Sequence, residues 1–298
     1  MALQAAPAPL TPLVREGESF VLTLSCADRS GIVRSVAEAL VELGCSISDS
    51  QQFGDPSGSF YMRVAFRSES GPLERDHVES VIAANVDGFD MSWEVTDSAH
   101  RNRVVLMVSK QGHCLTDLLF RAKSGTLPID VVAVVSNHTD MKDLVDWYGI
   151  PFHHVPVTKE TKNAAEDELR RLVGHYRADT VVLARYMQIL SDRLCSDLAG
   201  RAINIHHSLL PSFKGARPYY QAYERGVKVI GATAHYVTAD LDEGPIIEQD
   251  FARVDHTRDP RELTAIGQDQ EARALARAVK WHAERRVLLV GNKTIVFT

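Results

Sequence analysis

Three apolar runs constrain the fold of this chain most: RVVLMVS at 103–109, DVVAVVS at 130–136 and TVVLA at 180–184. They are continuous rather than alternating, as expected of strands buried on both faces of a parallel sheet. Helical stretches separate them, so residues from about 99 onward are expected to form an α/β domain: a mostly parallel, Rossmann-like sheet with helices on both faces. After a further run, RAINIHH at 201–207, the style changes. KVIGATAHYV (228–237) and GPIIEQDFARV (244–254) read as an antiparallel extension, followed by a long amphipathic helix over roughly 260–286 and a last strand, KTIVF, at 293–297.

The preceding segment has a different order. SFVLTLSC (19–26) is a strand, and SGIVRSVAEALVELG (30–44) puts Ile32, Val36, Leu40 and Leu43 on one helical face, with Ser30 as N-cap and Gly44 as the stop. SISDSQQF (46–53) and SFYMRVAF (59–66) form a hairpin across Asp55, Pro56, Ser57 and Gly58. A helix over 73–86 and a strand over 90–96 complete a ferredoxin-like βαββαβ unit. Charge supports a boundary near residue 100: the first hundred residues carry 15 Asp/Glu against 6 Arg and no Lys, whereas the remainder holds 24 acidic and 27 basic groups. Three segments are therefore expected: a mobile Ala/Pro-rich arm at 1–17, a small domain at 18–98 and a larger one at 99–298.

Net charge of −6 argues against nucleic-acid binding. The N-terminus lacks the basic and apolar regions of a signal peptide, and no apolar run is long enough to span a membrane. Cys26, Cys45, Cys114 and Cys195 are widely separated with no C-x-x-C pair, which fits reduced thiols and a cytoplasmic location.

The candidate chemistry lies at the end of the fourth run. Asn204 and His206, two apart on a strand, point to the same side, and ligands of open α/β sheets sit at the carboxyl ends of the strands. Pro211, Gly215 and Pro218 fix the loop that follows, and the turn ADLDEG (239–244) adds Asp242. An amide donor, an imidazole and a carboxylate suit attack at a carbonyl carbon. Asn204 can donate to the developing oxyanion, His206 can move a proton near neutral pH, and Asp242 favours the imidazolium and helps to hold a water. No G-x-S-x-G elbow or Cys–His motif is present, so direct attack by a bound nucleophile is preferred over an acyl-enzyme. A metal on His206 and His207 is not expected, since neighbours on a strand face opposite sides.

NIHHSLLPSFKGARPYYQA (204–222) with ATAHYVTADLDEGPIIEQ (232–249) resembles the formyltransferase-fold enzymes that use 10-formyltetrahydrofolate, over residues 103–298. The resemblance implies that Asn204, His206 and Asp242 carry the reaction. It also implies that LARYMQIL (183–190) is a pterin-binding loop, with Met187, Gln188, Ile189 and Leu190 on one side of the folate and Val237, Thr238, Ala239, Asp240 and Leu241 on the other. Folate is then the substrate, with no cofactor and no metal. Family members that formylate glycinamide ribonucleotide carry a Gly-rich loop after the first strand to cradle the substrate phosphate. Here SKQGHCLTDLL (109–119) has one glycine and the bulky His113, Cys114 and Leu115, and no further C-terminal domain of the kind found in longer members is expected. Water becomes the nucleophile, giving formate and tetrahydrofolate.

The βαββαβ unit resembles an ACT domain, a module that commonly binds small amino acids and pairs with copies of itself. Its fusion to a formyl-hydrolysing domain resembles the deformylase branch of the family over about 19–298. That implies a homo-oligomer and an effector, glycine or methionine, at DRSGI between Asp28 and Ile32. One departure is Gln268, where the family often has a basic residue. The alternatives are a transferase to an amine such as glycinamide ribonucleotide, and a folate or amino-acid sensor without turnover.

Overall fold

The structure, a computed structural model, describes residues 15–211 and 218–298. Residues 1–14 of the expected arm and Gly215 of the loop after His207 lie outside the described residues. Two compact units are present: one holds the residues up to Arg101 with Glu284–Leu288 and Phe297–Thr298, the other Asn102–Ala283 with Leu289–Val296.

The first unit runs β1 (Ser19–Ala27), α1 (Ile32–Glu42), β2 (Cys45–Gly54), β3 (Ser59–Ser68), α2 (Arg75–Val86) and β4 (Ser92–Asp97). Its sheet has the order β2-β3-β1-β4 with every pair antiparallel, which is the ferredoxin-like arrangement. Ile32, Val36, Leu40 and Leu43 are all buried, packed with Phe20, Phe66, Val78 and Ile82 in one core. Ser30 does not cap α1. Gly31, at φ 100°, occupies the cap position without a side-chain hydrogen bond, so the left-handed turn that only glycine takes freely sets the helix start one residue later. Gly44 ends the helix at φ 64°, its N–H donating to Val41 O.

Gly17, the last residue assigned to the arm, is pinned: its N–H donates to Asp97 Oδ2 at 2.7 Å, and its carbonyl accepts from Leu73 N at 2.8 Å. The chain's C-terminal residues enter this unit through Arg63, a buried guanidinium that donates to Asp49 Oδ2 (2.8 Å) and to the carbonyl of Glu284 (3.0 Å).

The second unit follows with β5 (Asn102–Val108), α3 (His113–Lys123), β6 (Ile129–Ser136), α4 (Lys142–Trp147), β7 (Phe152–His154), α5 (Lys162–His175), β8 (Thr180–Leu183), α6 (Asp192–Asp197), β9 (Ala202–His206), α7 (Pro218–Glu224), β10 (Val229–Tyr236), β11 (Ile246–Arg253) and α8 (Pro260–Ala283). The chain ends with β12 (Val287–Val290) and β13 (Lys293–Val296). The main sheet has seven strands in the order β11-β10-β9-β8-β5-β6-β7. The five strands from β9 to β7 are parallel, and β10 and β11 are antiparallel additions. Strand β7, three residues long, carries too short an apolar signal to be read from sequence.

The connection from β5 leads to β6 on one side, and the chain later returns to place β8 on the other. That reversal opens a crevice at the carboxyl ends of β5 and β8, where doubly wound sheets bind ligands.

Candidate active site

A cavity of about 590 Å³ opens at these strand ends. Asn204, His206 and Asp242 line it, and so do Met187, Gln188, Ile189, Leu190, Val237, Thr238, Ala239, Asp240 and Leu241. The two loops are far apart in sequence but face each other because β8 and β9 are adjacent and β10 returns antiparallel beside β9.

The loop after β8 is clamped at several points. Ser109 N–H donates to Arg185 O (3.2 Å), and Ser109 Oγ accepts from Met187 N–H (3.0 Å) while donating to Asn137 Oδ1 (2.7 Å). At the far end, Ser191 N–H donates to the buried carboxylate of Glu166 at 2.8 Å, and Ser191 Oγ caps α6. With the backbone held, Met187 and Ile189 stay exposed, which apolar side chains do at a ligand-binding rim.

His206 ends β9, with its Nδ1 3.2 Å from Asp242 Oδ1. A carboxylate can only accept, so the proton of His206 sits on Nδ1 and Nε2 carries the lone pair. His206 Nε2 is buried and makes no hydrogen bond. The hydrogen bond from His206 holds the Asp242 carboxyl below its ordinary range, outweighing the burial that would raise it.

Asp242 reaches the imidazole from a left-handed backbone position, φ 57°, that aspartate tolerates better than most residues. Two residues on, a Cβ at Gly244 would lie 1.8 Å from Tyr236 O, so the turn can close against β10 only with glycine there.

A residue that sequence reading passed over completes the centre. His235 on β10 stands directly across the ladder from Asn204. Its Nδ1 lies 2.9 Å from Tyr236 O and its Nε2 lies 3.2 Å from Asn204 Nδ2. Nδ1 therefore carries the proton and Nε2 accepts from the amide, which orients the Asn204 NH₂ and leaves its second N–H for a ligand. Burial lowers the His235 pKa and keeps the ring neutral. The signal was available: the cross-strand pairing of the AINIH and GATAHYV runs puts His235 beside Asn204.

The rings of His206 and His207 stack, with centroids 4.9 Å apart. The expectation that they face opposite sides fails because β9 ends at His206 and the pleat no longer governs His207. Beyond His207 lies a charged network that sequence reading also missed. Arg185 Nη1 meets His207 Nδ1 (2.7 Å), Arg185 Nη2 donates to Gln111 Oε1 (2.9 Å), and Arg185 Nε lies 3.2 Å from Glu271 Oε2.

Glu271, 1% exposed, also receives Tyr219 Oη (2.6 Å) and His113 Nε2 (2.8 Å). Burial works to raise its pKa, but the His113 hydrogen bond, the Arg185 charge and the Tyr219 hydroxyl together hold it low. His113, Cys114 and Glu271 bring potential metal-ligand atoms within 4.8 Å of one another. Both Glu271 oxygens are already engaged, burial pushes the Cys114 thiol well up, and the Arg185 cation stands alongside, so the cluster is built as a hydrogen-bond network.

The family described as formyl transferase matches residues 102–279. A formyltetrahydrofolate deformylase of Corynebacterium sp. (strain P-1) is 53% identical over 277 residues, covering 93% of this chain and 97% of the relative. The crystal structure of the formyltetrahydrofolate deformylase from Burkholderia mallei ATCC 23344 superposes with a TM-score of 0.89 at 48% identity, covering 94% of this chain and all of that one. Glycinamide ribonucleotide transformylase 1 from Symbiobacterium toebii is more distant, with a TM-score of 0.63 at 29% identity over 68% of this chain and 97% of its own.

Proposed function

The chain belongs to the formyl transferase family and, within it, to the formyltetrahydrofolate deformylases, and on that premise we propose that it hydrolyses 10-formyltetrahydrofolate to formate and tetrahydrofolate. The observation that carries the catalytic assignment is the pairing of His206 Nδ1 with Asp242, which leaves a buried, unpartnered Nε2 beside Asn204. A buried nitrogen without a partner is costly in a resting fold and useful where a proton must be moved.

The folate lies between residues 187–190 and 237–241, with its formyl carbon at Asn204 and His206. A water at His206 Nε2 gives a proton to that nitrogen as its oxygen attacks the formyl carbon. The oxyanion takes the free Asn204 N–H, and Asp242 stabilises the imidazolium. Collapse breaks the bond from carbon to N10, and His206 returns the proton to N10. Water supplies both the hydroxyl of formic acid and the hydrogen of the amine.

The first unit is proposed to act as an ACT-like regulatory module that assembles the protein into a homo-oligomer and takes glycine or methionine near Asp28 and Ile32. The structure leaves part of that turn occupied: Asp28 N–H donates to Gly58 O at 2.8 Å, and Arg29 packs over Phe89 at 4.4 Å. Four free cysteines fit a reducing compartment such as the cytoplasm. Among the described residues, no helix is long and apolar enough to cross a membrane.

The test is to incubate the purified protein with 10-formyltetrahydrofolate in amine-free buffer and quantify formate and tetrahydrofolate. Equal, multiple-turnover release of both is expected. His206→Ala and Asp242→Ala should each lower kcat by about 100- to 10,000-fold with folate affinity nearly kept. Unchanged turnover in either variant would remove that residue from the mechanism.

A further inference from the structure

We propose that Arg185 determines the acceptor: its guanidinium permanently fills the end of the cavity beyond His207, so that water reaches the formyl carbon and amines do not. The inference rests on the hydrolytic reading above and explains how the site enforces it.

The backbone supplies the first observation. Arg185 sits at φ 67°, a conformation that glycine takes freely and a residue with a side chain takes at a cost. The side chain is the second. It is 9% exposed and reaches Gln111, Glu271 and His207 across the cavity. Since His207 stacks on His206, the guanidinium stands one ring away from the group assigned to move the proton.

The third observation is what lies behind it. Glu271 is a buried carboxylate fixed by Tyr219 and His113, and the Tyr219 ring is seated against Gly267, where a Cβ would come within 2.2 Å of the ring. Without Arg185, this end of the cavity would be a rigid chamber holding a buried anion. Such a chamber suits a primary amine or a ligand with several hydroxyl groups, which the carboxylate would accept as donors. Arg185 occupies that end of the cavity and neutralises that charge, so the carboxylate is not offered to an amine.

In a chain carrying Arg185→Gly, an amine entering the chamber can replace water without any further reagent. Its nitrogen attacks the formyl carbon, the carbon–N10 bond breaks, and the proton lost from the amine passes to N10. The products are a formamide and tetrahydrofolate.

Glycinamide, a primary amine that needs no phosphate cradle, is the probe, titrated calorimetrically into the full-length protein and, separately, added to turnover assays in which formate and formylated amine are both measured. The wild-type protein should neither bind nor formylate it. Arg185→Gly should bind it at least about tenfold more tightly and divert part of the formyl group to the amine. Arg185→Lys keeps a cation in the chamber and should continue to exclude it.

If the single variant fails to fold because Glu271 is left uncompensated, Arg185→Gly with Glu271→Gln removes both charges, a change that buried pairs tolerate better than loss of one partner. Its Gln amide oxygen still accepts from an amine, so the double variant should also bind the probe, less tightly than Arg185→Gly. Binding or formylation by the wild-type protein would overturn the proposal, as would a folded Arg185→Gly or double variant that shows neither. Calorimetric binding needs no turnover, so these outcomes are separate from loss of the hydrolytic reading, which shows as absent formate in amine-free buffer.

Discussion

Asn204 Nδ2 and His235 Nε2 lie 3.2 Å apart across the β9–β10 ladder, and the His235 tautomer is set by its Nδ1 contact with Tyr236 O. The donor proposed for the oxyanion is thus aimed by a neutral imidazole. His235→Ala removes the aim while leaving Asn204 in place, and the expected loss in kcat is about 100-fold, the cost typical of misplacing a reacting group by about an ångström. Steady-state kinetics with unchanged far-UV circular dichroism check it. His235→Gln, which retains an acceptor, should recover part of the rate.

The same histidine predicts a pH dependence. Burial lowers its folded pKa below the ordinary 6.5, so below pH 6.5 the unfolded chain binds a proton that the folded chain does not. Stability therefore rises with pH in that window and falls as pH drops through it, by at most about 1.4 kcal/mol per pH unit until the folded pKa is reached. Thermal unfolding of the wild-type protein from pH 7.5 to 5 should show this slope, and His235→Gln should flatten it. An identical slope in both proteins would place the titration elsewhere.

Much of this centre is legible in the amino-acid sequence, for reasons that particular residues make plain. The VVLMV and VVAVV runs are apolar at every position because both sheet faces are covered, and they specify the parallel sheet directly. Asn204 and His206 share a face because strand periodicity is two. What escapes sequence reading depends on long-range pairing. His235 matters only because Thr233 pairs with His206 and so brings His235 opposite Asn204. Arg185 and Glu271 are 86 residues apart and meet only once α8 packs against β9, β10 and β11. Ser30 misleads as a helix cap because its composition suits that role, whereas the left-handed Gly31 decides the local geometry. Likewise, alternation along a strand says nothing about His207 once the strand has ended.

Gly244 ties the acidic turn to the sheet. An added methyl group would meet Tyr236 O at 1.8 Å and His235 Nδ1 at 3.2 Å, so the backbone carrying Asp242 must move away from His206. Gly244→Ala should destabilise the protein by about 1–3 kcal/mol, as overpacked sites do. It should also lower kcat more than it changes folate affinity. Urea denaturation together with kcat and KM measured on the same preparation tests both parts, and a stable, fully active variant would show that the turn has slack.

Ser109 gives the complementary case, in which binding rather than chemistry should suffer. Its hydroxyl is buried and accepts from Met187 N–H while donating to Asn137 Oδ1, and its own N–H holds Arg185 O. Ser109→Ala frees the Met187 amide and strands the Asn137 carbonyl, costing about 1–3 kcal/mol of stability. The loop at 184–190, which the proposed folate site uses as one wall, then loses a fixed point at its centre. KM for 10-formyltetrahydrofolate should rise about tenfold while kcat changes little, because Asn204, His206 and Asp242 are held by β9, β10 and the turn that follows rather than by this loop. A fall in kcat with unchanged KM would mean that the loop positions the formyl group and not the body of the folate.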